Sequence, residues 1–181
     1  IPMIEWAPWW NETLKRWKQE GLPLNLSNRE TLDYFGLDPL LCLSAAARTA
    51  NCPAPPSHGA PIINDENDYE DISPYLYTDS ILEKVKEQAL NLKERHERGE
   101  IIIRLWLDGF FWFPRQLLGI EEHFYAFYDK RELMHHINSD LAQFNIRVVK
   151  KLFSILEPDM VGFAEDMSYN NGPMLSYELF Q

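Results

Sequence analysis

The sequence predicts a parallel α/β fold, and between the two common closed forms it favours the eightfold (β/α)8 barrel over the doubly wound sheet. Three observations carry this reading. Two apolar runs of strand length, Ile101–Leu107 and Met160–Ala164, each follow a long stretch with helical periodicity. Each run leads at once into carboxylates, Asp108 in the first case and Glu165-Asp166 in the second. No glycine-rich phosphate fingerprint follows either run, which lowers the doubly wound alternative. Helices alternating with strands in this way imply right-handed parallel crossovers.

Taken in order, Met3 to Trp6 reads as a short buried strand, leading into Ala7-Pro8-Trp9-Trp10. Asn11 can cap a helix with its body from Thr13 to Glu20, which ends at Gly21 before Leu22-Pro23. Arg29 to Phe35 reads as a short helix closed by Gly36. Residues 38–77 are proline-rich and show no sustained period, so they are expected to form a covering or excursion loop, with one turn of helix between Asp68 and Leu76. Ser80 and Glu83 fit a capping box, and Leu82, Val85, Ala89 and Leu92 recur at helical spacing up to Gly99. In Ile101–Leu107 only Arg104 interrupts the apolar side chains, which predicts a strand buried on both faces. Pro114–Leu118 and Glu121–Tyr128 read as short helices. Leu133, Ile137, Leu141, Phe144, Val148, Leu152 and Ile155 form the clearest amphipathic stripe, stopped by Pro158. Finally Ser176 can cap a turn from Tyr177 to Phe180, just before Gln181. One helical turn has no stability of its own, so the natural protein is expected to continue; the absence of an initiator Met suggests residues upstream as well.

Composition narrows the function classes. Hydrophobic residues make up 45% of the 181, enough for a packed core. A net charge of −11 argues against nucleic acid or an anionic membrane as partner. No basic leader or bilayer-length apolar run is present. The two cysteines, Cys42 and Cys52, read as free thiols of a cytoplasmic protein.

Barrel chemistry sits at the C-terminal ends of strands, and three such ends are visible. At the first, Glu5 can orient a substrate and Trp6 can wall its pocket, or the tryptophans pack structurally. At the second, Asp108 is a general base or hydrogen-bond acceptor, or a turn-forming Asp before Gly109. Arg104, within that strand, partners a carboxylate in the barrel interior or forms a buried structural pair. Arg115, nearby, can hold an anion or merely start a helix. At the third, Glu165 and Asp166 stand with Tyr169 and Asn170, and a pair of carboxylates in one low-dielectric mouth suits acid–base work. Adjacent strand residues face opposite ways, so only one of the two can point inward unless the strand has already ended. His135-His136 cannot chelate a metal from a helix, and the acidic run from Asp65 to Asp71 lacks calcium-loop spacing.

These stretches carry a family likeness. Trp9-Trp10-Asn11-Glu12-Thr13, Arg16-Trp17-Lys18-Gln19-Glu20-Gly21-Leu22-Pro23 and Tyr34-Phe35-Gly36 resemble the opening of uroporphyrinogen-decarboxylase-like proteins. Asp108-Gly109-Phe110-Phe111-Trp112 with Leu117-Leu118-Gly119 resembles a second block of that family. Asp159-Met160-Val161, Glu165-Asp166-Met167 and Asn171-Gly172-Pro173-Met174-Leu175-Ser176 resemble a third. The resemblance implies a (β/α)8 barrel roughly twice this length, with residues 1–181 as one partial domain, its N-terminal half. It also implies one of two chemistries. One branch decarboxylates uroporphyrinogen without a cofactor. The other moves methyl groups between a corrinoid protein and an acceptor such as coenzyme M, using a zinc-activated thiolate. Ile4-Glu5-Trp6-Ala7-Pro8-Trp9 lacks the arginines with which the decarboxylases hold substrate carboxylates, and the third block is closer to the methyltransferases. In that branch the zinc ligands, a His-x-Cys and a later Cys, belong to the C-terminal half. The expectation is therefore methyl transfer acting on a small molecule, with a corrinoid protein as partner. Decarboxylation, or a non-catalytic half-barrel that self-associates, stands as the alternative.

Overall fold

A computed structural model of the chain describes residues 1–180. Three parallel strands, β1 (Leu40–Ala45), β2 (Ile102–Asp108) and β3 (Met160–Ala164), stand side by side in chain order. The register sets Leu43 beside Leu105 and Leu105 beside Val161, so residues of one pleat share a face across all three strands. Leu43, Ala45, Ile103, Leu105 and Leu107 fill one face and are fully buried. The other face carries Cys42, Ser44, Arg104, Trp106 and Gly162, with Cys42 and Ser44 exposed. The expectation of a strand buried on both faces is thus corrected. β2 alternates between buried and half-buried positions. Strand alternation puts Arg104 and Trp106 on the same open side, where the guanidinium lies 4.8 Å over the Trp106 ring.

Helices α1 (Asn11–Gln19) and α2 (Asn28–Tyr34) precede the sheet. Asn11 is the first helical residue of α1 and makes no cap; Trp10 occupies that position without a side-chain bond. In α2, Ser27 and Glu30 form a reciprocal capping box. Residues 38–77 are more ordered than the sequence suggests. They contain β1, then α3 (Glu66–Ile72), capped by Asp65, then a 3-10 turn at Ser73–Tyr75. The helix α4 (Asp79–Glu97) starts after Thr78, so Ser80 lies inside the first turn rather than at the cap. After β2 come α5 (Trp112–Leu118), α6 (Ile120–Asp129) and α7 (Arg131–Phe153). The stripe Leu133, Ile137, Leu141, Phe144, Val148 and Leu152 is buried, and it joins Val85 and Ala89 of α4 and the closed sheet face in one core. Both crossover helices therefore cover the same face. Beyond β3 a small hairpin, β4 (Ser168–Tyr169) with β5 (Gly172–Pro173), precedes the one-turn α8 (Tyr177–Phe180).

The N-terminal segment is not a strand. Met3 to Trp6 has no ladder partner, and Met3 is tied by two bonds to Asp38: its N–H donates to the carboxylate at 2.8 Å and its carbonyl accepts the Asp38 N–H at 2.7 Å. Aromatic packing holds the adjoining helices, with Trp9, Trp17 and Phe35 meeting edge to face at 5.1–5.4 Å.

At β3 the closed face runs out of cover. Val161 and Phe163 point to the helix side yet are 44% and 45% exposed. The junction of α5 and α6 is Gly119, with φ +80 and buried. A Cβ there would meet the Gly59 carbonyl oxygen at 2.6 Å and the Pro61 nitrogen at 2.8 Å, both backbone. Gly119→Ala is expected to cost about 2–4 kcal/mol, combining a left-handed backbone with a backbone clash. A thermal melt reads it; an unchanged midpoint would contradict the close approach.

Candidate functional site

The C-terminal ends of the three strands bring together Ala47, Asp108 and Glu165. Asp108 closes β2, and its Oδ2 accepts the Ala47 N–H at 2.7 Å. Its carbonyl accepts from the buried Asn145 amide at 3.1 Å, so α7 fixes the strand end. Burial pushes the Asp108 carboxyl above the usual range, against the opposing pull of the Ala47 N–H and the Arg48 charge. The Ala47 carbonyl in turn accepts the N–H of Tyr77, a residue held at φ +55. The Tyr77 and Tyr69 hydroxyls are 3.0 Å apart, and Tyr69 reaches Asp140 at 3.0 Å. His136 hydrogen-bonds Glu66 and lies 3.3 Å from the Asp140 carboxylate, which extends this polar network across the helix surface. A polar chain therefore runs from the end of β2 to the surface of α7.

Glu165 lies just past β3 and serves as a helix cap. Its carboxylate accepts the N–H groups of Phe110 and Phe111 at 2.8 Å and of Trp112 at 3.3 Å, at the start of α5. Gly109 permits this: a Cβ would fall 2.2 Å from the Ala164 carbonyl oxygen and 2.3 Å from the Glu165 carboxyl carbon. The strand ends at Ala164, so Glu165 and Asp166 are free of its alternation. Asp166 is exposed with φ +35. Tyr169, in β4, is 56% exposed, and Asn170 is exposed at the hairpin tip. The hairpin and α8 fold back over Glu165 and leave a mostly apolar pocket of about 380 Å³, walled by Phe110, Phe111, Met167, Leu175 and Phe180.

Arg115 is half-buried on α5 with its guanidinium 5.1 Å over the Trp112 ring. It lines a second pocket with Arg48 and His58, neither of which the sequence singled out. Glu5 and Trp6 lie elsewhere. Their segment is tied to Asp38, just before the N-terminal end of β1, whereas Asp108 stands at the other end of the sheet. Glu5 accepts from the Trp9 indole N–H at 3.2 Å and the Trp6 N–H at 3.0 Å, and the Trp6 side chain is largely exposed.

His123 is fully buried among Phe111, Phe124 and Phe127, with no partner for either ring nitrogen. Burial, with the Arg115 charge adding to it, pushes its pKa down to about 4. Among the described residues no group of three or more His, Cys, Asp or Glu side chains could hold a metal ion. Cys42 lies on the open sheet face, and Cys52 lies in the loop, where burial pushes its thiol up against the pull of Arg48. No helix among the described residues is long and apolar enough to cross a membrane. Comparison of the chain with protein-family models, with curated proteins and with solved structures found no match.

Proposed function

We propose that this chain belongs to a cytoplasmic (β/α)8-barrel enzyme of the uroporphyrinogen-decarboxylase-like family that moves a methyl group from a corrinoid protein to a thiol. The observation that carries the reading is Asp108: a desolvated carboxyl, oriented by the Ala47 N–H, at the C-terminal end of the middle strand. The bare sheet face beside it, with Arg104 and Trp106, suits a barrel interior, and consecutive strands with both crossovers on one side suit barrel winding. Methylation of a thiol releases a proton, and a carboxyl of raised pKa is fitted to take it up.

The resemblance assigns the zinc ligands, a His-x-Cys and a later Cys, to the C-terminal half of the barrel and not to residues 1–181. The two thiols of this chain are Cys42 and Cys52, no His-x-Cys occurs in it, and among the described residues no three His, Cys, Asp or Glu side chains converge.

Asp108→Asn keeps the shape of the side chain and removes the base. It is expected to lower the rate of thiol methylation from methylcobalamin to coenzyme M by about 10²-fold or more in the protein that carries this chain, with circular dichroism unchanged. No methylation by the unmodified protein, or an undiminished rate in the variant, would refute the reading. A second reading, decarboxylation of a carboxylate substrate, draws support from Arg48 and Arg115 near the same strand ends. Release of carbon dioxide from uroporphyrinogen, with no thiol methylation, would establish it instead.

A further inference from the structure

We propose that the pocket lined by Arg48, His58 and Arg115 binds an oxyanion group, a phosphate or a carboxylate, of a small molecule. The proposal does not depend on methyl transfer, because either chemistry at Asp108 accommodates an anionic substrate.

The pocket is built from two segments that follow strand ends. Arg48 lies three residues past β1, and Arg115 lies on the helix that follows β2. The loop between them is strapped down by backbone bonds: Ile62 and Ile63 N–H groups donate to the Leu117 carbonyl at 2.7 and 3.1 Å, and the Ile120 N–H donates to the Gly59 carbonyl at 2.9 Å. These bonds fix the Gly59–Ile63 wall of the pocket against α5, and an antiparallel bridge to Leu76 fixes the backbone of Arg48.

Charge makes the site unusual. The chain has 28 acidic residues against 17 lysines and arginines, yet no Asp or Glu lines this pocket. Five other arginines are matched with carboxylates: Arg16 with Glu20, Arg29 with Asp33, Arg95 with Glu100, Arg98 with Glu94 and Glu100, Arg147 with Asp79; Arg104 instead stacks on Trp106 and Arg131 donates to the Phe127 carbonyl. Arg48 and Arg115 are both half-buried and form no ion pair within 4.0 Å among the described residues; Asp108 lies near enough to feel the charge of Arg48. Arg48 contacts the Cys52 thiol, and Arg115 stacks on Trp112. Stacking fixes the guanidinium plane and leaves its N–H edge available for two acceptor oxygens. Gln116 adds a neutral amide to the same wall. The volume, about 280 Å³, suits a small anionic molecule or the anionic end of a larger one.

Isothermal titration of the protein with inorganic phosphate, pyrophosphate and malonate tests this. Saturable one-site binding of at least one is expected, with R48Q and R115Q each weakening it about tenfold or more and R131Q leaving it unchanged. Binding of phosphate or pyrophosphate alone assigns a phosphoryl ligand; binding of malonate alone assigns a carboxylate. Should either arginine variant fail to fold, H58Q, on an exposed loop, is expected to weaken binding severalfold without affecting the melt. No saturable binding of any of the three at about 10 mM, or binding that the variants leave intact, overturns the proposal. Because the readout is binding, its failure and that of methyl transfer are told apart: an anion site can be found where thiol methylation is not, and the reverse.

Discussion

Replacing Glu165 with alanine is expected to lower the stability of the fold by about 3 kcal/mol, because one carboxylate answers three backbone donors. The N–H groups of Phe110, Phe111 and Trp112 have no other acceptor at the start of α5, and each bond to an ionised oxygen outweighs a neutral one. The negative charge also faces the positive end of a helix. Glu165→Gln keeps the size and one acceptor oxygen and is expected to cost about 1 kcal/mol. Urea unfolding separates the two; an alanine variant within about 0.5 kcal/mol of the parent would show that the cap contributes little. The pair also divides structure from chemistry. A glutamine variant that folds normally but loses methyl transfer would give Glu165 a chemical role beyond its cap.

His123→Phe is expected to flatten the acid limb of stability. The folded-state pKa of about 4 lies below the ordinary 6.5. Below pH 6.5 the unfolded chain takes up a proton that the buried ring refuses, so stability is complete above that value and falls as the pH drops towards 4. The loss approaches about 3 kcal/mol at the acid end of this window. Phenylalanine suits the nest, in which the Phe111 and Phe127 rings lie 4.6 and 5.0 Å away, and it carries no unpaired nitrogen. Melting at pH 7 and near pH 4.5 compares the variant with the parent; equal losses in both would exclude His123 as the source.

The elements legible in the sequence were those whose burial is periodic. The Leu133–Leu152 stripe and Ile102–Asp108 emerge from spacing alone because each buries one defined face, whereas Met160–Ala164 is legible only as an apolar run of strand length, its Val161 and Phe163 remaining exposed. Leu40–Ala45 was hidden because it lacks β-branched residues and lies in a proline-rich stretch; pairing with β2, about 60 residues away, makes it a strand. Met3–Trp6 misleads in the opposite sense, an apolar run with no ladder to join. Helix starts at Trp10 and Thr78 escape cap rules because neither side chain caps its helix. For the site, Asp108 is readable from its place after a strand. The function of Glu165 as a cap is not, since its donors lie more than 50 residues earlier. Arg48 and His58 gain significance only when the loop folds against α5.

The hydroxyl pair of Tyr69 and Tyr77 gives the fold an optical signature. Burial, foremost, holds both phenols well above their ordinary ionisation, with Asp140 adding its charge. The unfolded chain sheds these protons near pH 10, so rising alkalinity draws the equilibrium towards unfolding. Their phenolate absorbance in the near ultraviolet therefore arrives together with the loss of helical circular dichroism, in one cooperative step. The ultraviolet titration of these two rings is, in effect, a stability curve for the core that encloses them.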